Sequence, residues 1–525
     1  MPGRYLGRLR RQRADGARVE FEDGDTSVAK VARGSMWELS AFALPQVYIV
    51  ITSALIARAL GPSGFGRLTF IGSLQMAIVT VCEWGVPYAT IRFIAELLGA
   101  DRRAAVAGVV RWTYRLTGIG AAVGLLIVAG IAASGATPHV AWVLAAAATP
   151  FAIMHSAPSS VLTGSQRWRD ARIMGMVTGF GAMVAKVVVV ILGGGIAPLF
   201  AVDLAVAAVN FTGTQVLARR VTGPLPPPEF PHALAVRVRN FARLATVTVL
   251  VTLVVYQRTE IFVLAHFKSD ADIAQYSVPY ALVSALLLFP GAVSSALSPA
   301  FAVLWGAGDL ERIRSAFGRA LRLVMMLSLA FTAGTIALGQ DLIRLVYGPA
   351  FAGVEPVLVI LAFSIPFVPL ASLSGSLLRG IGVLRALTIV GVVAAVADIA
   401  LAIALVPPFD TVGAACANTL AQIIGSLPLV VYGTRRIGGV EFAWAALARA
   451  TVALALACLA GIAMTSFLGT VAGLVAGGAA FLIVLTAAAR PLRVLSARDA
   501  EWVATVLGGR LRGLPAAAAR FAGGL

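Results

Sequence analysis

Long apolar runs alternate with short polar connections along most of the chain. A helix that crosses a bilayer needs ~20 mostly apolar residues, and on that measure we predict about fourteen spans. The eighth span is long enough to be kinked at Pro290 or Pro299, because proline removes a helical hydrogen bond. The pattern predicts an all-α polytopic membrane protein. The predicted spans lie near 39–57, 68–89, 114–134, 138–160, 173–194, 196–218, 244–267, 275–303, 323–341, 354–377, 387–406, 414–433, 449–468 and 470–489.

Polar segments divide these spans into groups. The longest internal one, RRVTGPLPPPEFPHALAVRVRNFAR at 219–243, is rich in proline, which interrupts helices and favours extended backbone. It follows the sixth span, so we interpret it as a cytoplasmic linker between two six-span halves. The predicted order is a basic cytoplasmic tail, an N-lobe, the linker, a C-lobe, spans 13 and 14, and a second basic cytoplasmic tail. Their ranges are 1–36, 37–218, 219–243, 244–433, 434–489 and 490–525.

Composition agrees with a membrane protein. The 525 residues are 59% hydrophobic and 13% charged, whereas soluble domains carry roughly 25% charged residues. The net charge of +18 is also compatible with nucleic-acid binding, but the distribution of the charge argues against it. Of 42 Lys and Arg residues, 36 fall in segments predicted to be cytoplasmic, 4 in outward loops and 2 inside spans. This positive-inside pattern places both termini in the cytoplasm and excludes nucleic acid as the natural partner. We expect the protein in the plasma (inner) membrane.

The two halves also match each other in sequence. An offset of 208 residues superimposes Ala57 on Ala265, and it then superimposes Arg111 on Arg319 beyond the next span. The offset covers six predicted spans, an even number, so the halves have the same orientation. Such parallel repeats are typical of one group of secondary transporters.

Four segments, in order, resemble the multidrug/oligosaccharidyl-lipid/polysaccharide (MOP) flippase superfamily, in its polysaccharide branch. They are LIARALGPSGFGRLTF, QRTEIFVLAHFKSDADIAQYSVPYAL, LIRLVYGPAFAG and LLRGIGVLRALTIVGVVAAVADIALAIALVPPFDTVGAACANTLAQ. The resemblance covers roughly residues 35–435. It implies two six-helix lobes that rock between inward-open and outward-open states, with spans 13 and 14 added. It also implies polyprenyl-diphosphate-linked glycans as substrates, moved from the inner to the outer leaflet.

Charged residues inside spans are costly in lipid and usually face a cavity or a partner. Arg258 lies in the seventh span, and guanidinium is suited to a substrate diphosphate. Lys186 in the fifth span is a second candidate for substrate contact, and we group Glu260 with these two. Two structural alternatives stay open. Arg258 would then bridge to another helix, and Lys186 would neutralise Asp203 or Glu83.

Asp398 lies near the middle of the eleventh span, and Asn418 and Thr419 begin the twelfth. Some members of the superfamily hold a coupling cation between spans 7, 11 and 12, so the resemblance implies a sodium or proton site at these three residues. The cationic Arg258 in span 7 departs from that pattern. A carboxylate at Asp398 neutralised by Arg258 is the structural alternative.

The stretch ALIARALGPSGFGRLTF at 54–70 separates two apolar runs. Glycine permits unusual backbone angles and proline restricts φ, so Gly61, Pro62 and Gly66 predict a structural hinge at the outer face. No catalytic motif or metal-ligand spacing occurs, and the three cysteines lie in apolar runs. We therefore expect no enzyme activity, no cofactor and no metal site.

These observations predict a flippase for a lipid-linked oligosaccharide or polysaccharide repeat unit, in cell-surface polysaccharide biosynthesis. Its partners would be the glycan lipid, membrane lipids and a proton or sodium ion, with glycan-assembly enzymes as further candidates. Two transporter alternatives are a cation-coupled multidrug exporter and a peptidoglycan-precursor flippase. A membrane glycosyltransferase or polymerase would carry larger outward loops. A scaffold without transport is the remaining alternative.

Overall fold

A computed structural model describes residues 24–256, 259–440 and 444–489. The chain divides into two units, residues 1–40 with 495–525, and Ala41–Val494. Within the first unit, the described residues are 24–40, and they are helical. The description that follows concerns the second unit, apart from the first residues of α1. Across the described ranges the regular structure is helical without strands, which confirms the predicted all-α fold.

Fifteen α-helices and one 3₁₀ turn make up the described part of the chain. Two of the helices contain a break in the helical backbone, α1 at Gly61 and α13 at Asp410. The 3₁₀ turn, Pro349–Val354, precedes α11. The helices are α1 Gly24–Cys82, α2 Val86–Gly99, α3 Arg103–Ala133, α4 His139–Gly164, α5 Trp168–Ile191, α6 Ile196–Thr222, α7 His232–Tyr256, α8 Glu260–Phe267, α9 Asp270–Gly306, α10 Leu310–Tyr347, α11 Glu355–Ala362, α12 Phe367–Gly380, α13 Leu384–Arg436, α14 Trp444–Leu468 and α15 Thr470–Ala489.

The helix lengths are those of a multi-pass membrane protein. Ten stretches of the described residues are long and apolar enough to cross a bilayer. Two of these stretches, in α1 and α13, each overlap two predicted spans, one on either side of the break. Predicted span 7 corresponds to α7 with α8, and predicted span 8 to the continuous α9. The arrangement is consistent with the predicted count of about fourteen spans.

The second predicted span, 68–89, is interrupted where the sequence pattern gave no warning. Trp84 and Gly85 have positive φ angles of 47° and 63°, and the chain resumes as α2. Gly85 lies against α7, since a Cβ at this position would be 2.6 Å from the backbone nitrogen of Thr246. The close helix contact therefore requires glycine, and it decides where the span breaks.

The segment between the two predicted halves is shorter than expected. The predicted linker was 219–243, but α6 continues to Thr222 and α7 begins at His232. The non-helical part is 223–231, which holds all five prolines of the segment. Proline is tolerated at a helix start but not inside one. The prolines therefore limit the irregular backbone, and the flanking arginines of the predicted linker lie on helices.

Tight apolar packing surrounds the middle of the second half. Ile261 and Leu264 of α8, Tyr276 of α9 and Ala402 and Ala417 of α13 are all buried in one cluster. Small alanines on α13 allow close approach of its neighbours, which is how helices pack in membranes. This cluster encloses the polar side chains described next.

Candidate functional site

Two acidic side chains meet in the interior of the second half. Glu260 is the first residue of α8, and Asp398 lies on the first part of α13. Both residues have 0% of their surface exposed. The two carboxyl groups face each other across the interface between the helices. The structure thus joins residues that are 138 positions apart in the sequence.

Neutral polar groups complete the surroundings of this acidic pair. Asn418, on the second part of α13, donates from Nδ2 to Oε1 of Glu260 at 2.8 Å. The hydroxyl of Tyr276 also faces the Glu260 carboxyl. Among the described residues, the second oxygen of Glu260 and both oxygens of Asp398 have no hydrogen-bond donor. The acidic pair therefore has acceptor capacity to spare.

The electrostatic consequence follows from burial. An ionised carboxylate removed from water is costly unless a cation or several donors accompany it. No ion pair of Glu260 or Asp398 occurs within the described part of the chain. Two neighbouring carboxylates also repel each other. The arrangement can accept one positive charge between the two helices.

Thr419 was predicted to share a site with Asp398 and Asn418, but its hydroxyl donates to the carbonyl oxygen of Ile360 at 3.0 Å. A cavity of about 170 Å³ adjoins Asn418 on the side of α9, and its polar lining includes Ser284 and Ser364. The structure therefore brings Asn418 to the acidic pair and engages the Thr419 hydroxyl with the segment that ends α11.

Lys186 of α5 is paired within the first half. Its Nζ lies 2.6 Å from Oδ1 of Asp203 on α6, and the two side chains are 21% and 36% exposed. The sequence left Asp203 and Glu83 as alternative partners, and the geometry favours Asp203. Substrate contact by Lys186 stays a prediction.

The sequence grouped Glu260 with Arg258 and Lys186, whereas the structure places Glu260 against Asp398. Arg258 lies outside the described residues, so its role also stays a prediction. Sequence reasoning missed Tyr276 and the contact between the two acids. One signal was available, because both acids fall in predicted spans of the same half.

The predicted hinge residues lie in a contact between the two halves. Gly61 has φ 68° and ψ 178°, in the region that favours glycine, and Pro62 follows it. Gly66 lies so close to α9 that a Cβ would overlap the carbonyl oxygen of Asp270. Glycine is thus required at both positions, whereas a hinge function for Gly61, Pro62 and Gly66 stays a prediction.

Arginines flanking the Gly61 break reinforce this contact. Arg67 donates to the carbonyl oxygen of Thr137 at 2.7 Å and reaches Oδ1 of Asp270 at 3.4 Å. Arg58 donates to the carbonyl oxygens of Val346, at 2.9 Å, and Leu345. Arg58 and Arg67 therefore join α1 to the first residue of α9 and to the C-terminal end of α10, at the face predicted to be outward.

Solved structures of known transporters share this helix arrangement. The lipid II flippase MurJ in an inward closed conformation superimposes with a TM-score of 0.64 at 14% identity, covering 85% of this chain and 97% of that one. An inward-facing multidrug resistance MATE family transporter gives 0.63 at 15% identity, with 75% and 94% covered. A MOP superfamily transporter from Pyrococcus furiosus gives 0.59 at 13% identity, with 79% and 96% covered. The fold is that of the MOP superfamily of transporters and flippases.

Family models agree with this class. Residues 31–305 match the model described as polysaccharide biosynthesis protein, and residues 245–404 match the MatE model. The first match spans more than half of the chain, so this chain belongs to the polysaccharide biosynthesis protein family. It is a multi-pass membrane protein with the fold of the superfamily that its sequence segments resemble.

A curated relative is the probable flippase AglR of Haloferax volcanii, which is 26% identical over 178 residues. That match covers 33% of this chain and 37% of the relative. The chain therefore matches little more than a third of the relative's length.

Proposed function

We propose that this protein is a flippase for a polyprenyl-diphosphate-linked oligosaccharide or polysaccharide repeat unit, carried from the cytoplasmic to the outer leaflet. The match of residues 31–305 to the polysaccharide biosynthesis protein family carries the proposal. The local likeness to a probable flippase supports it. We place the protein in the plasma membrane, and the excess of basic residues in predicted cytoplasmic segments favours an orientation with both termini in the cytoplasm.

Alternating access is the proposed mechanism. The sugar-diphosphate head group would cross between the two halves while the lipid tail stays in the bilayer. Arg58, Arg67 and Ser53 contact the second half near the predicted outer face, Ser53 through a 2.9 Å hydrogen bond between its hydroxyl and that of Tyr347. These contacts would have to separate before the head group leaves on the outer side.

The acidic pair is the proposed coupling site. A proton or a sodium ion between Glu260 and Asp398 would balance one negative charge and allow α8 and α13 to pack closely. Its departure would leave two repelling carboxylates and favour a different packing of these helices. This proposal keeps Asp398 and Asn418 as coupling residues, moves Glu260 into that group, and assigns Thr419 a positioning role. Arg258 remains the proposed contact for the substrate diphosphate.

Cross-linking between cysteines tests alternating access. The test pair and the control pair both include position 67. In a background with Cys82, Cys416 and Cys458 replaced by alanine, Arg67→Cys/Asp270→Cys would be bridged by a short reducible reagent, as would Arg67→Cys/Thr137→Cys. The first pair joins the two halves, and the second stays within the first half. We expect the first bridge to stop flipping and reduction to restore it, while the second leaves flipping intact.

The substrate is tested in proteoliposomes that contain a fluorescent polyprenyl-diphosphate oligosaccharide. We expect protein-dependent exchange between leaflets, and a smaller rate for Arg258→Ala than for Arg449→Ala, a basic residue at the start of α14. Export of an organic cation without any exchange of glycan lipids would overturn the proposal in favour of the drug exporter. Exchange of a peptidoglycan precursor alone would identify the protein as a peptidoglycan-precursor flippase.

A further inference from the structure

A break in the tenth predicted span lies next to the acidic pair. α11 ends at Ala362 and α12 begins at Phe367, so residues 363–366 are non-helical in the middle of this span. Within a membrane, non-helical backbone is tolerated only where it is buried in protein or lines a cavity. Thr419 donates to the carbonyl oxygen of Ile360 at 3.0 Å, which joins the segment just before the break to the part of α13 that carries Asn418.

The small cavity beside Asn418 lies at this break. Its volume is about 170 Å³, which is room for about five water molecules at ~30 Å³ each. Ser364 of the break and Ser284 of α9 contribute hydroxyl groups to the lining. Ser364 donates its own proton to the carbonyl oxygen of Leu361 at 2.7 Å, so its oxygen is an acceptor for water or a cation. Asn418 lines the cavity and also donates to Glu260, so the cavity leads to the acidic pair.

A second cavity, of about 470 Å³, lies between the small cavity and the face predicted to be cytoplasmic. Residues of α7, α12 and α13 form its walls, and Ser372 of α12 contributes a hydroxyl group. The cavity extends to Arg379 and Leu387, which flank the short connection 381–383 between α12 and α13. This connection follows the tenth predicted span and is therefore predicted to be cytoplasmic. The large cavity thus approaches the cytoplasm.

Two apolar side chains separate the cavities. Leu287 of α9 and Val368 of α12 line both of them and therefore lie between them. A short apolar constriction between polar compartments slows the passage of water and cations until it widens. The constriction formed by Leu287 and Val368 is therefore placed to control access to the acidic pair.

The side of the acidic pair that faces outward is closely packed instead. Lys268, at the end of α8, pairs with the Asp410 carboxylate at the break in α13. A Cβ at Gly413 would be 2.0 Å from the carbonyl oxygen of Leu405, so the two parts of α13 approach closely there. Ala414 is 0% exposed at the same level. The acidic pair therefore lies between close packing towards the outer face and cavities towards the cytoplasm.

We propose that the coupling ion, a proton or a sodium ion, exchanges between the acidic pair and the cytoplasm through these two cavities, with Leu287 and Val368 as the gate. The inference rests on the coupling function proposed for the acidic pair. It gives the ion a route inside the second half, separate from the path of the head group between the halves. Ser284 and Ser364 hold the ion or its water on the way.

The test measures from which side of the membrane a cation reaches Ser284. Ser284→Cys, in the background that lacks the native cysteines, is exposed to a membrane-impermeant reagent, 2-(trimethylammonium)ethyl methanethiosulfonate. The reagent is added to inside-out or right-side-out vesicles, and intact mass gives the modified fraction. We expect modification about tenfold faster from the cytoplasmic face, equivalent to a barrier lower by about 1.4 kcal/mol.

Ser277→Cys is the matched control. Ser277 is seven residues before Ser284 on α9, about two turns towards the outer face, and it is 2% exposed. We expect no modification of Ser277→Cys from either face. Ala307→Cys and Ala350→Cys, at exposed positions predicted on the cytoplasmic and outer faces, verify the orientation of the vesicles.

Variants of the constriction test the gate. Leu287→Ala should speed the modification of Ser284→Cys from the cytoplasmic face about tenfold. It should leave Ser372→Cys unchanged, because Ser372 lines the large cavity, which the reagent enters before the constriction. Leu287→Met conserves the volume and should leave both rates close to their original values. Val368→Ala tests the same gate if Leu287→Ala does not fold.

The outcomes separate failure of the route from failure of coupling. Modification of Ser284→Cys from the outer face would overturn the route even if Asp398→Asn abolishes gradient-driven flipping. Absence of modification from either face in the Leu287→Ala background would do the same. Modification from the cytoplasmic face alone, with gradient dependence unchanged in Asp398→Asn, would overturn the role of the route in coupling. Flipping under imposed proton or sodium gradients identifies which of the two ions uses the route.

Discussion

The two halves of the molecule hold charges in their interiors in opposite ways. In the first half, Lys186 and Asp203 have opposite charges, are 2.6 Å apart and are partly exposed. In the second half, Glu260 and Asp398 are both acidic, face each other and are fully buried. The first arrangement is balanced by the protein itself. The second has no cationic partner within the described part of the chain, and for this reason we propose it as the coupling site.

One asparagine from each half sharpens this difference. Asn210 and Asn418 are 208 residues apart and so occupy equivalent places in the predicted repeat. Asn210 accepts a hydrogen bond from the Thr178 hydroxyl at 2.7 Å, which links α6 to α5. Asn418 instead donates to Glu260 at 2.8 Å. The same residue type therefore joins two helices in one half and supports an acidic group in the other.

The largest expected effect comes from Asp398→Asn. The amide has nearly the shape of the carboxylate, and it can donate to Glu260 without an added ion. We expect flipping driven by an ion gradient to fall to the rate measured without a gradient, because the amide binds no proton or sodium ion in place of the carboxylate. The measurement is flipping in proteoliposomes with and without imposed proton or sodium gradients. Asp203→Asn is the control, and gradient-driven flipping unchanged in Asp398→Asn would remove the acidic pair from coupling.

Breaking the balanced pair should affect stability rather than coupling. Lys186→Met leaves Asp203 without its partner, and we expect a loss of about 1–3 kcal/mol, less than for a fully buried pair because both groups are partly exposed. Lys186→Met/Asp203→Leu should recover most of the loss. Unfolding in mixed detergent micelles, arranged as a double-mutant cycle, measures the interaction. Additive losses would contradict the pairing.

Replacing Asn418 or Asn210 should cause losses of stability of intermediate size. Asn418→Ala removes the donor to a buried acid, which costs about 1.5–3 kcal/mol, whereas Asn210→Ala removes a neutral hydrogen bond worth about 0.5–1.5 kcal/mol. The same unfolding measurement ranks the two variants. A larger loss for Asn210→Ala would mean that Asn418 contributes little to the acidic pair.

The smallest expected effect concerns the contact between the halves. Arg67 and Asp270 are partly exposed and 3.4 Å apart, so Arg67→Gln should cost about 0.2–1 kcal/mol. It should leave the gradient dependence of flipping unchanged, because within the described part of the chain no hydrogen bond or ion pair joins Arg67 or Asp270 to the acidic pair. A changed gradient dependence would show that the outer contact and the coupling site act together.

Much of the architecture was predictable from local pattern. Apolar runs of about 20 residues predicted the spans. The four segments that resemble the MOP flippase superfamily predicted the superfamily. The break at Gly85 was not predictable, because it depends on how closely α7 approaches. The ends of the helices beside the predicted linker were not predictable either, since the arginines flanking its prolines lie on helices. Individual site residues were predictable from charge inside spans, but their grouping was not. The sequence grouped Glu260 with Arg258, whereas the structure places it against Asp398.

The sequence by itself determined that this chain crosses the membrane many times, which ends of the spans carry the arginines, and to which superfamily it belongs. These properties depend on residues close together in the chain, where hydrophobicity and charge act on one helix at a time. Only the tertiary structure decided which buried charges meet. Glu260 and Asp398 lie on different helices, and their contact depends on the packing of α8 against α13, which no periodicity within either helix encodes.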